Sequence, residues 1–228
     1  MKNILSIIIL SVILSNSVCT PNNTNVSLNH YPSEATTANY YENITTTISE
    51  ETHSTHSEGY QLPLPEEDME FSFLSGAGAW RTIITLNRDG TFTGWYLDSE
   101  MGDIGEGYPK GSAYTCSFFG KFGNIEKVNE YSYKMTLTEI KTEKTVGEEW
   151  IEDEMRYVAS PPYGLNSPSN EQECMEFIFF LPDTPVDKVP EDFLSWWPYR
   201  YTQETDPKAT LSCYGILNVT TNAGFFTT

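Results

Sequence analysis

From Trp80 to Leu97 the side chains alternate with the period of two that a β-strand imposes. Trp80, Thr82, Ile84 and Leu86 share one face, and Arg81, Ile83, Thr85 and Asn87 take the other. Beyond Asn87-Arg88-Asp89-Gly90, Phe92, Gly94 and Tyr96 alternate with Thr93, Trp95 and Leu97. The link predicts a type I turn closed by a glycine at positive φ, so the two runs form a hairpin. Gly94, inside the second run, suggests a bend or bulge of the kind that lets a sheet curl.

The same reading predicts further strands down the chain. Tyr114–Phe122 is one, and Tyr131, Tyr133, Met135 and Leu137 alternate with polar neighbours in the next. Trp150–Val158 reads as a single strand. Met175–Leu181 is apolar on both faces and belongs in the middle of a sheet. Leu211–Val219 gives a last long strand, and Gly224-Phe225-Phe226 closes the chain. One short helix is expected near 190–197, with Pro190 at its start, Glu191 and Asp192 in its first turn, and Pro198 ending it. The class is all-β and mainly antiparallel, a barrel or a β-sandwich.

Three regions differ in composition. Residues 1–19 pair Lys2 with the apolar run Ile4–Leu14 and small residues before Cys19, the pattern of an export signal. That run is too short to span a bilayer. Residues 20–59 are rich in Thr, Ser and Asn, hold no Lys or Arg, and show no sustained apolar period, so they read as a disordered tether. Residues 60–228 form the folded domain, led in by the stiff Leu62-Pro-Leu-Pro65. Cys19 stands where a bacterial lipoprotein carries its lipid, although Asn16-Ser17-Val18 departs from the usual residues before it, and ordinary cleavage near Ser17–Thr20 is the alternative. Asn22, Asn25, Asn43 and Asn218 head N-x-[ST] sequons, which count only in a eukaryotic host.

Gly78-Ala79-Trp80, followed by a strand and a DGT hairpin, resembles the Gly-x-Trp opening of lipocalin-like (calycin) barrels. The longer pattern SGAGAW…DGTFTGWYLDSEMGDIGEGYP, with TLTEIKTEK, YGL and LPDTP…EDFLSWW, is similar to a family of uncharacterised exported lipoproteins of clostridia and related gut bacteria. The first resemblance implies a lipocalin-like barrel in which Trp80 is buried and closes one end. The second implies a lipid anchor at Cys19 and a cell-surface location, with plain secretion as the alternative. It implies no activity.

Charge and histidine content narrow the chemistry. Thirty-two acidic residues against thirteen basic ones give a net charge of −19, a field that repels phosphate backbones and anionic headgroups. No nucleic acid is expected as a partner, and a membrane only through the anchor. The three histidines, His30, His53 and His56, all lie in the tether, so the domain has no His-based triad and no usual zinc site. No catalytic residue is assigned and no cofactor is expected.

Carboxylates and aromatics remain. Asp98, Glu100, Asp103 and Glu106 lie among Gly102, Gly105 and Gly107, and such a loop can fold back to offer oxygens to Ca²⁺, although it lacks EF-hand spacing. The same acids are the material of a glycoside-active carboxylate pair. Trp95, Tyr96, Trp196 and Trp197 are the candidate ligand-binding residues, because exposed aromatics beside acids grip sugars and apolar ligands. Cys116, Cys174 and Cys213 are an odd set, so at most one pair can close, and the sequence does not choose it. The first expectation is a tethered barrel that binds a small apolar or sugar ligand. The second is a structural or accessory envelope lipoprotein with a filled barrel, and a carboxylate-based enzyme comes third. An internal cavity would favour the first, and a packed interior the second.

Overall fold

The Trp80–Leu97 alternation folds as expected. Strands β2 (Trp80–Leu86) and β3 (Thr91–Glu100) pair in continuous register from Trp80↔Asp98 to Leu86↔Phe92. Gly90 closes the turn at φ +83°, and its N–H donates to the Asn87 carbonyl at 3.0 Å. A Cβ at Gly90 would run into the Phe122 carbonyl, so the position requires glycine twice over. Gly94 makes no bulge. It faces the interior, where a Cβ would meet the Phe118 ring, so the missing side chain is room for a neighbour's.

The computed structural model describes residues 60–166, 175–198 and 209–227. The expected signal segment, the tether and Cys19 lie outside these, as do Cys174 and Tyr199. Preceding the hairpin is β1 (Met69–Leu74). After it come β4 (Ser112–Lys127), β5 (Ser132–Thr142), β6 (Glu149–Glu152), β7 (Met155–Ala159), β8 (Glu176–Phe180), β9 (Gly215–Asn218) and β10 (Gly224–Phe226). Eight strands close into a barrel in the order β1-β2-β3-β4-β5-β8-β9-β10 and back to β1, every neighbour antiparallel. Of the two architectures the sequence left open, this is the barrel. Two register shifts on β4, after Lys121 and after Gly123, bend the long strand so that the sheet can curl.

Trp150–Val158 is a hairpin and not one strand. Asp153 and Glu154 both take positive φ, the geometry of a tight turn, and they divide β6 from β7. Neither residue is a glycine, which is why the turn did not announce itself. The hairpin adds to the start of β4 through parallel pairing of Ser112–Thr115 with Arg156–Ala159, beyond the reach of β5. The Leu211–Val219 strand is likewise shorter than expected, with only Gly215–Asn218 in the sheet.

Alternation sorts the apolar side chains into two cores. Inward-facing Phe71, Ile84, Leu86, Phe92, Phe122, Met135, Phe177 and Phe179 fill the barrel, each 2% exposed or less. The outward face of β8–β10 carries Ile178, Phe180, Leu217 and Phe226. The expected helix α1 (Glu191–Leu194), with Pro190 at its N-cap, lays Phe193 and Leu194 over them, preceded by a 3₁₀ turn at Val186–Lys188. Phe193 stacks on Phe226 at 4.6 Å between centroids. β8 is therefore apolar on both faces because both are covered. The lead-in segment does more than lead in. Leu62 and Leu64 are buried in the barrel core, and the Leu62 N–H donates to the Arg88 carbonyl, which seals the end of the barrel that carries the β2–β3 turn.

Candidate functional site

The opposite end of the barrel is closed by the loop after β7. Its Ser160-Pro161-Pro162-Tyr163-Gly164 sequence turns at Gly164 (φ +86°) and drops Leu165 into the core, fully buried. Gly164 lies against the Phe73 and Phe225 rings so closely that a Cβ would clash. Two buried side chains hold the loop from below. The Thr82 hydroxyl donates to the Tyr163 carbonyl at 2.9 Å, and the Asn218 amide donates to the Gly164 carbonyl at 2.9 Å.

Tyr163 is left facing outward, 43% exposed, at the centre of an aromatic rim. Its ring stacks on Phe73 at 5.6 Å and meets Trp80 edge-on at 5.0 Å and Tyr96 at 5.6 Å. Trp196 extends the surface by packing on Phe73 at 4.9 Å and Trp80 at 6.2 Å. Trp80 is thus only partly buried, and the expectation that it is buried and closes this end is corrected: Leu165 and Phe73 are the buried residues there. The reason is register. Trp80 is the first residue of β2, level with Asp98, while the fully buried Thr82 and Ile84 follow it on the same face.

Beside the rim lies an open cleft of about 310 Å³, between the ends of β3 and β4 and the 160–166 loop. Tyr96, Asp98 and Tyr114 form one wall, and Ser160, Tyr163 and Asn166 the other. Tyr96 and Asp98 are two apart on one strand and so share a face. Burial first, then the nearby Asp98 charge, push the Tyr96 phenol up to about 12 from its ordinary 10.0. A phenol raised in the folded state favours folding below its unfolded value. That contribution is lost as the pH rises from 10 to about 12. Ultraviolet titration of the tyrosines should show one phenol ionising near the top of that window. Asp98→Asn should bring it part of the way back, since burial remains.

The structure separates the candidate residues. Tyr96 lines the cleft and Trp196 continues the rim beside it. Trp95 stands on the outer barrel wall, 38% exposed, beneath the Arg81 guanidinium at 4.9 Å. Trp197 is buried under α1 in the outer core. Neither lines the cleft. The acidic loop is also divided. Asp98 lines the cleft beside Tyr96, Glu100 and Glu106 point to solvent, and Asp103 accepts from Arg156 at 3.1 Å. Arg156 also takes Glu149 in a two-pronged pair at 2.8 and 3.0 Å, which ties the loop to the β6–β7 hairpin and holds the Glu149 carboxyl below its ordinary range. Among the described residues, no three His, Cys, Asp or Glu side chains gather into a group that could hold a metal.

No family model matches the chain, and no curated protein or solved structure matches it. The site therefore rests on its own geometry.

A second cleft, of about 290 Å³, lies at the sealed end around Arg88 and Asp89. Its polar groups are already paired. Arg88 donates to the Leu64 and Pro65 carbonyls and faces Glu67, while Asp89 accepts from Thr91 twice. The rim cleft is the better site because Tyr163 and Trp196 leave aromatic surface exposed beside it. Sequence reasoning missed Tyr114, Tyr163 and Asn166. A signal was present for Tyr163: an aromatic between Pro-Pro and Gly is a large side chain on a stiff turn, which exposes it. Cys116, by contrast, is a buried free thiol in the barrel core, and burial pushes it up to about 11.

Proposed function

We propose that the protein is an exported, surface-tethered barrel that binds a small uncharged or amine-bearing saccharide at its aromatic rim. The observation that carries this is the continuous exposed surface of Trp80, Tyr163 and Trp196 beside the hydroxyl and carboxylate groups of Tyr96, Asp98 and Tyr114. Flat aromatic faces pack against the C–H face of a sugar ring, and fixed oxygens take its hydroxyls. The interior is packed with phenylalanine, so an enclosed apolar ligand has no room there, and the rim is what remains. The net charge of −19 and Asp98 disfavour acidic sugars.

The second reading, a structural envelope lipoprotein with no ligand, draws its support from that same filled interior. A titration separates the two. Tryptophan fluorescence of the full chain should change with chitotetraose, cellotetraose or mannotriose and stay flat with tetragalacturonate. No response to any neutral sugar would leave the structural reading standing.

Tethering is a separate part of the proposal, supported by the 1–19 signal pattern, the position of Cys19 and the likeness to clostridial lipoproteins. The mature protein should partition with membranes, and Cys19→Ser should release it or block its processing. A mature N-terminus at Thr20 with no acyl mass would instead mean plain secretion.

A further inference from the structure

The rim reading depends on where Tyr163 stands, and two residues outside the cleft decide that. We infer that Asn218 and Thr82 are positioning residues that clamp the 160–166 loop and fix the Tyr163 ring. The inference rests on the rim being the ligand site.

Both side chains are fully buried, yet each spends a hydrogen-bond donor on a loop carbonyl. Thr82 sits on β2 and Asn218 at the end of β9, so successive carbonyls, of Tyr163 and Gly164, are gripped from two different walls of the barrel. Two grips on adjacent peptide units leave the intervening chain little freedom to rotate. Gly164 lies between them, and the Tyr163 Cα sits just before the first gripped carbonyl, with the bonded Pro162 carbonyl on its other side. The Leu165 N–H bonds the Pro162 carbonyl at 2.9 Å, and the buried Leu165 side chain completes the anchorage.

Asn218 is bonded through both ends of its amide. Its Oδ1 accepts from the Thr220 and Thr221 N–H groups at 2.9 and 3.2 Å, and its Nδ2 serves the loop. Its own N–H donates to the Ala223 carbonyl, and its carbonyl accepts from Asn222. The sequon Asn218-Val219-Thr220 is consequently not a glycan acceptor in the folded protein, because Nδ2 is buried and engaged. Asparagine suits this position for a mechanical reason: its amide offers an acceptor to the β9–β10 turn and, from a separate atom, a donor to the loop.

The substitutions follow from that chemistry. Asn218→Asp keeps an acceptor for Thr220 and Thr221 but aims a second oxygen at the Gly164 carbonyl. Thr82→Val removes the hydroxyl at nearly constant volume, and Thr82→Ser keeps it. Amide hydrogen exchange on the full chain, without ligand, is the decisive measurement. Asn218→Asp and Thr82→Val should each speed exchange at Tyr163–Asn166 by about tenfold or more while β2 and β3 keep wild-type protection. Thr82→Ser should match wild type. For cellotetraose, the two loosened variants should bind about tenfold more weakly and Thr82→Ser normally. Unchanged loop exchange in both variants would overturn the clamp, as would an equal rise over every barrel strand. Because exchange is read without sugar, it decides the clamp even if wild type binds no probe.

Discussion

Phe177→Ala should cost about 3–5 kcal/mol, the range for emptying a fully buried aromatic site. Phe177 lies on β8 in the middle of the barrel, 0% exposed, with its ring edge-on to Phe122 at 4.9 Å. The rings around it belong to strands that cannot collapse inward without breaking their ladders, so the cavity would stay open. A loss of that size is a large share of the roughly 5–15 kcal/mol a domain has in total. Trp80→Ala should cost about half as much, because the rim leaves the indole partly in water already. Urea melts of the mature chain order the two. A Trp80→Ala midpoint lower than that of Phe177→Ala would mean that the packed centre has been placed wrongly.

That ordering also marks what the sequence could tell. Period-two alternation is a local property, so β2, β3 and β5 and their buried faces were legible, as was the apolar-on-both-sides β8. The turn at Asn87–Gly90 and the proline-led helix carried their own chemistry. The β6–β7 turn was hidden because Asp153 and Glu154 adopt positive φ without a glycine to mark them. The rim was hidden for a different reason. Tyr163 lies well over sixty positions from Tyr96 and Trp80, and only barrel closure brings the three together. The acidic loop misled because glycine spacing shows that a chain can fold back, not which partner it meets, and here Asp103 meets Arg156.

Tyr163→Ala should abolish most of the sugar affinity and little of the stability. The residue is the most exposed ring of the rim and touches both Phe73 and Trp80, so its loss removes the platform without opening the barrel. A central aromatic contact of this kind is worth about 2 kcal/mol, roughly thirtyfold in Kd. The urea midpoint should move by no more than about 1 kcal/mol in equivalent stability, as for other partly exposed sites. Trp95→Ala serves as the control, since Trp95 stands on the outer wall beneath Arg81 and should change neither quantity by much. Equal losses of affinity in the two variants would move the site off the rim.

The most direct test of a rim-bound saccharide is to see where one lands. Backbone and indole resonances of the isotopically labelled chain, followed through a cellotetraose or chitotetraose titration, report every contact at once. Shifts should concentrate on the Trp80 indole, Tyr96, Asp98, Tyr114 and Ser160–Asn166, with Trp95 and the Arg88 end silent. Shifts confined to Trp95 and its wall, or none with any neutral sugar at millimolar concentration, would contradict the rim as a binding site.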